Sequence, residues 1–176
     1  MPELSSTDRE PGRGLFSVAQ IQHVMRIEFG RAQRYRYPLV CMLISIDQLE
    51  ALRDLHGYEV KEVVVDAVVR LLQDATRTSD FLGRTADDRL MAVIPHTAPE
   101  GARVLAQRLL ANARQLTFPK LAQPATITLS VGASTNEHAG IMYFDTLLST
   151  AEEALAEATS AGGDRYIERK PPGMPA

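Results

Sequence analysis

Two stretches of the chain hold residue types that could do chemistry. One is Arg77-Thr78-Ser79-Asp80, a guanidinium and a carboxylate three positions apart. A guanidinium is a planar fork of donors that also stacks on flat faces, and a carboxylate only accepts. Such a pair suits a flat polar ligand. It also reads as an ordinary surface pair, with Arg77 favoured by the dipole near a helix C-terminus and Asp80 as a turn residue. The other stretch is Thr85-Ala86-Asp87-Asp88-Arg89, a small polar turn between apolar runs at 81–82 and 90–94. Short apolar runs around such a turn predict a β-hairpin.

The elements that must position these residues follow from the pattern. Ser17 is an N-cap for a helix over residues 18–35, with Ile21, Val24, Met25, Phe29 and Ala32 on its apolar side. Arg26, Arg31, Arg34 and Arg36 read as its solvated face. Residues 39–46 are almost wholly apolar and predict a strand buried on both faces at the centre of a sheet. A short helix over 48–56 closes at Gly57, and a second runs from near Glu59 to Thr76, with Val60, Val64, Val68, Leu71 and Leu72 on one face. Valines are poor helix formers, so packing must hold that helix. After the hairpin come a helix from Thr97 or Pro99 to about Ala113 and a strand over 126–131 ending at Gly132. A helix from about Phe144 then stops at Gly162-Gly163, and a last short strand covers 165–168. The Arg-x-x-Asp pair therefore falls where a helix hands over to the first hairpin strand.

Composition narrows the function classes. The chain has 176 residues, 45% apolar and 23% charged, which suits one domain with a full core. A net charge of −3 gives no footprint for nucleic acid or an anionic membrane. Cys41 is the single cysteine and sits in an apolar run, so it reads as a buried hydrophobe rather than a ligand. His23, His56, His96 and His138 show no metal-ligand spacing. No apolar run approaches the roughly 20 residues of a membrane span. The first ten residues lack the apolar stretch of a secretory signal, so a cytoplasmic location is expected. Residues 1–13 are expected to be a flexible leader, 14–169 one domain, and 170–176 a disordered tail.

Six pieces, in order and at fitting separations, resemble the GGDEF domain, the diguanylate cyclase fold related to nucleotidyl cyclases. Gly14-Leu15 resembles the Gly-Leu of its opening motif. Ile44-Ser45-Ile46-Asp47 resembles its first central strand. Asp54 and Gly57 resemble its Asn-Asp-x-x-Gly-His segment. Residues 84–90 sit on Arg-Tyr-Gly-Gly-Asp-Glu-Phe, residues 128–132 on Thr-x-Ser-Ile-Gly, and residues 151–155 on Ala-Asp-x-Ala-Leu. The resemblance implies an α/β (α+β) fold: a central mixed β-sheet flanked by helices, with a β-hairpin at a degenerate signature turn.

Set on the family's pattern, the turn departs from what condensing two GTP molecules needs. The turn glycines are Ala86 and Asp87, whose side chains obstruct close backbone approach to a triphosphate, and Asp87 adds a repelling charge. Asp88 keeps the metal-binding carboxylate position, but the acidic catalytic residue after it is Arg89, and the partner metal carboxylate falls on Ser45. Asp47 shares Ser45's strand face, so a register shift could recruit it. The guanine-reading positions fall on Arg53 and Glu62, and the phosphate-binding ones on Thr159 and Gly163. From Ala86-Asp87-Asp88-Arg89-Leu90 we therefore expect no catalytic residue, no metal site and no enzyme.

The resemblance also implies a second, product-binding site. Its Arg-x-x-Asp falls on Arg77 and Asp80, and a further arginine falls on Arg108. A guanidinium can bond guanine O6 and N7, and a carboxylate can accept from N1–H and N2–H. The expected ligand is cyclic di-GMP, with no magnesium requirement and no other cofactor. In the family this ligand often binds as a stacked dimer bridging two domains, so Arg108 would act from a neighbouring copy and link binding to homodimerisation. The output would be contact with an unidentified protein partner, without nucleic acid or membrane insertion. Two rivals remain: an interaction or scaffold domain that binds no nucleotide, and a residual GTP-binding enzyme using Asp47 and Asp88.

Overall fold

The computed structural model describes residues 15–119, 121, 125–136 and 143–172. The expected leader at 1–13, Gly14, His138 and residues 173–176 of the expected tail lie outside them. In chain order the described elements are β1 (Leu15–Phe16), α1 (Val18–Tyr35), β2 (Leu39–Ile46), α2 (Leu49–His56), α3 (Tyr58–Ala75), β3 (Phe81–Arg84), β4 (Leu90–Pro95), α4 (Pro99–Arg114), β5 (Leu129–Thr135), α5 (Phe144–Ser160) and β6 (Arg165–Glu168). The strands form one mixed six-stranded sheet in the order β1-β3-β4-β2-β5-β6. Its inner pairs are antiparallel, and the outer pairs β1–β3 and β5–β6 are parallel.

Period-two alternation along β2 and β4 sorts the sheet into two cores. Val40, Met42, Ile44 and Ile46, with Leu90, Ala92 and Ile94, face α2, α3 and α4. Leu39, Cys41 and Leu43, with Met91 and Val93, face α1 and α5. β2 is buried on both sides because helices cover both faces, as its unbroken apolar run requires. Burial pushes the Cys41 thiol up to about 12, so it behaves as a hydrophobe. No described helix is long and apolar enough to cross a membrane.

Local chemistry explains the ends of the elements. Ser17 caps α1 with a full capping box: its hydroxyl accepts from Gln20 N, and the Gln20 side chain accepts from Ser17 N. Gly162 and Gly163, at φ 108° and 74°, stop α5 in backbone space that side chains rarely enter. Four details depart from the sequence reading. The two-residue β1 was not expected. The buried stripe of α3 is Lys61, Val64, Val65, Val68, Val69 and Leu72, which leaves Val60 and Leu71 at its edge. β5 starts three residues later than the β-rich run and continues through Gly132 to Thr135. Gly132 is not a strand end; it is where α5 lies on the sheet, since a Cβ there would stand 2.6 Å from Leu155 Cα and 2.7 Å from the Ala151 carbonyl oxygen. Most of the basic residues on α1 are exposed as expected, but Arg26 also lies 4.8 Å over the Phe144 ring and ties α1 to α5.

Candidate functional site

α3 ends at Ala75, and residues 77–80 form the turn that feeds β3. Asp80 N donates to Arg77 O at 3.1 Å, while Asp80 Oδ2 accepts from Arg77 N at 2.8 Å. The carboxylate is thus fixed by backbone on one side only. Its other oxygen, Oδ1, is buried and has no partner. Burial pushes the Asp80 carboxyl above the usual carboxylate range, against the pull of the Arg77 N–H and guanidinium.

Asp80 opens onto a hollow of about 380 Å³ between the end of α3, β4 and the first half of α4, lined also by Arg77, Thr97, Glu100, Val104 and Arg108. That is within the usual range for small-ligand sites. Arg77 and Arg108 stand 31 positions apart in sequence, yet one chain brings both to this hollow. Both are exposed, and neither guanidinium forms a salt bridge or a side-chain hydrogen bond among the described residues. The hollow therefore presents two cations without partners among the described residues, donors for an O6/N7 edge or phosphate, beside a buried carboxylate. Sequence reasoning named Arg77, Asp80 and Arg108, and all three line this hollow. It missed Thr97, Glu100 and Val104, because nothing local shows that α4 folds its first turns over the 77–80 turn.

The signature turn is built in the opposite way. Thr85 N donates to Arg89 O at 2.8 Å, and Asp88 N to Thr85 O at 3.2 Å, closing the hairpin with Asp88 at φ 61°. Every charged side chain in it has a partner. Asp87 Oδ2 lies 2.7 Å from Arg89 Nε, and the Thr85 hydroxyl donates to Asp87 Oδ1. Asp88 Oδ2 lies 2.6 Å from Lys61 Nζ, and Arg84 Nε donates to Asp88 Oδ1 at 3.0 Å. Arg84 reaches Glu62 as well, at 3.2 Å. The Lys61 ammonium, with help from Arg84, holds the Asp88 carboxyl below its ordinary range. Partial burial raises Asp87, but the bonds from Thr85 and Arg89 outweigh it and leave it lowered.

Lys61 was missed from sequence. A signal was present, for it is the one charged residue in the apolar stripe of α3. Asp47 is not a spare metal ligand. Its Oδ1 accepts from the Ser130 hydroxyl at 2.6 Å, and its Oδ2 from Thr128 at 2.7 Å and from Asp164 N at 2.9 Å. It anchors the start of β5 to the loop before β6. A Cβ on Gly163 would stand 2.6 Å from Asp47 Oδ2, so a glycine is needed there. Arg53 pairs with Glu50 at 2.7 Å, and the Thr159 hydroxyl bonds its own helix at Leu155 O.

A divalent ion does not fit this donor set as it stands. Both oxygens of Asp88 face cations, those of Asp47 are occupied by protein donors, and Ser45 carries no charge. Among the described residues no group of three or more His, Cys, Asp or Glu side chains comes together.

A mixed sheet covered on both faces by helices, with a charged turn at the tip of its central hairpin and an Arg/Asp hollow at the base, defines an α/β domain class. Residues 13–165 match the family described as "Diguanylate cyclase, GGDEF domain", and the chain belongs to it. It is 27% identical over 158 residues to the probable diguanylate cyclase DgcC of Escherichia coli K12, covering 89% of this chain and 42% of DgcC. The chain thus spans less than half of that curated relative. The fold is similar to the active GGEEF domain of a diguanylate cyclase from Vibrio cholerae, with a TM-score of 0.82 and 25% identity, covering 88% of this chain and 97% of that one. It is also similar in fold to the GGDEF domain of DgcB from Caulobacter crescentus, solved in complex with c-di-GMP: TM-score 0.82, 13% identity, covering 91% and 96%.

These matches overturn the expectation that Ala86-Asp87-Asp88-Arg89-Leu90 marks a non-enzyme, because the family and these relatives are named as diguanylate cyclases. The turn supplies a physical reason for the error. The sequence reading counted Asp87 as a bare charge facing phosphate and Arg89 as a simple loss. In the fold the two pair and their charges cancel, Ala86 and Asp87 lie exposed at the tip, and Asp88 keeps its place.

Proposed function

We propose that this chain is a cyclic di-GMP-binding GGDEF domain. The ligand site is the hollow of Arg77, Asp80 and Arg108, and the output is contact with another protein in the cytoplasm. The observation that supports it is the state of this hollow: two guanidiniums and a buried carboxylate oxygen without partners among the described residues, gathered from two regions of the chain. The arginines grip guanine O6/N7 and offset the two phosphate charges of each ligand, while Asp80 takes ring N–H groups. Because arginines neutralise the phosphates, binding needs no magnesium. If the ligand enters as a stacked pair, a second copy of the domain meets its free face, and ligand concentration then sets dimer population. The c-di-GMP complex of DgcB is a precedent for the fold alone.

A second reading, an enzyme acting on GTP, has the names of the relatives in its favour. One pair of measurements separates the two. Calorimetric titration with cyclic di-GMP in EDTA is expected to give micromolar or tighter binding, unchanged by Mg²⁺. Absence of binding at high ligand concentration would overturn the proposal. Conversion of GTP to cyclic di-GMP with Mg²⁺, lost in Asp88→Ala, would establish the second reading.

A further inference from the structure

We propose that Lys61 is a built-in cation, holding Asp88 at the position where the family's pattern places a divalent metal ion. The inference rests on the signature turn and is independent of the cyclic di-GMP hollow. A hard divalent ion takes carboxylate oxygens and keeps several open positions for water or phosphate. Asp88 has two oxygens and both face protein cations: Oδ2 is 2.6 Å from Lys61 Nζ, and Oδ1 receives Arg84 Nε at 3.0 Å. The carboxylate is aimed there by backbone, through the left-handed conformation of Asp88 and the two hydrogen bonds that close the turn.

Neither cation can withdraw freely. The Lys61 side chain is only 8% exposed and grows from the buried stripe of α3, and its ammonium meets Asp88. Its next carboxylate, Glu50, stands at 4.0 Å. An ammonium in that position without a counter-charge is disfavoured. Arg84 is fixed in turn by Glu62 at 3.2 Å. Lys61 and Arg84 against Asp88 and Glu62 make a set that is already neutral, so an added dication would stand uncompensated beside two positive charges. The other carboxylate near the end of β2, Asp47, has its oxygens filled by Thr128, Ser130 and Asp164 N.

The test is Mn²⁺ titration followed by electron paramagnetic resonance, on the wild-type chain, Lys61→Met, and Lys61→Met combined with Asp88→Asn. Lys61→Met keeps the apolar stem and removes the charge. It is expected to gain one Mn²⁺ site at least tenfold tighter than any in the wild type, lost again in the double variant. Lys61→Gln, which can still bond Asp88, gives the same comparison should Lys61→Met fail to fold. Equal Mn²⁺ affinity in wild type and the charge-free variant, whether both bind or neither does, would overturn the proposal.

Discussion

The hollow under the hairpin and the turn at its tip use the same residue types, arginines and aspartates, and use them in opposite ways. At Asp88 two cations converge on one carboxylate, and the neighbouring Asp87 and Arg89 form an ion pair. At Asp80 one oxygen is buried and, among the described residues, unpaired, and Arg77 and Arg108 are exposed with no ion-pair partner among them. Removing one member of a paired set leaves an uncompensated charge and costs stability, whereas charges left unpaired stay available to meet a ligand. The turn thus ties α3 to the hairpin through ion pairs, whereas the hollow holds charges that no described residue pairs.

This contrast can be broken most forcefully from the hollow. Removing both guanidiniums, Arg77→Ala with Arg108→Ala, is expected to weaken cyclic di-GMP binding at least 100-fold by calorimetry, or about 2.7 kcal/mol. The melting temperature should stay within a degree or two, since neither side chain is in an ion pair. Arg108→Ala alone should lose roughly tenfold, about 1.4 kcal/mol. A double variant with unchanged affinity would remove the distinction between the two regions.

From the other side, Asp88→Asn is expected to lower unfolding stability by about 1 kcal/mol near neutral pH, after allowance for solvent screening, and to leave cyclic di-GMP affinity unchanged. Urea titration monitored by circular dichroism reads the first quantity. Loss of ligand binding in this variant would show that the turn takes part in recognition.

The smallest effect is a difference of sign. Lys61 and Arg84 depress Asp88, so its stabilisation is present above the ordinary carboxylate value of about 3.9 and is lost as pH falls through the depressed value. Asp80 is raised by burial. Between the ordinary and raised values the native state holds more protons than the unfolded chain, so its contribution improves as pH falls through that window. Asp80→Asn should therefore be neutral or gain a few tenths of a kcal/mol at neutral pH, and Asp88→Asn should lose. Stability curves from pH 3 to 7 of the two variants that move in the same direction would contradict the assignment.

Much of the scaffold was legible because it is written locally. The Ser17 cap, the doubly buried β2 and the Gly162-Gly163 stop each carry their own signal, and the structure has all three. Arg77, Asp80 and Arg108 were named through a motif and an offset, and the fold brings the three to one hollow that α4 closes. What failed was non-local. Lys61 meets Asp88 across 27 positions, and only the fold shows that contact. Asp47 looked like a free carboxylate because its three donors come from Thr128 just before β5, Ser130 in β5 and Asp164 before β6. Gly132 looked like a strand end because the helix pressed on it begins twelve residues later. The non-enzyme expectation failed for a related reason. It read the turn one residue at a time, while the charges at 87 and 89 cancel as a pair.

The most direct measurement is calorimetric titration of cyclic di-GMP, without metal, into the wild-type chain, Arg77→Ala and Asp88→Asn in parallel. Equal micromolar or tighter binding by wild type and Asp88→Asn, with loss in Arg77→Ala, is the expected result. Binding that survives Arg77→Ala, or that disappears in Asp88→Asn, would contradict the account.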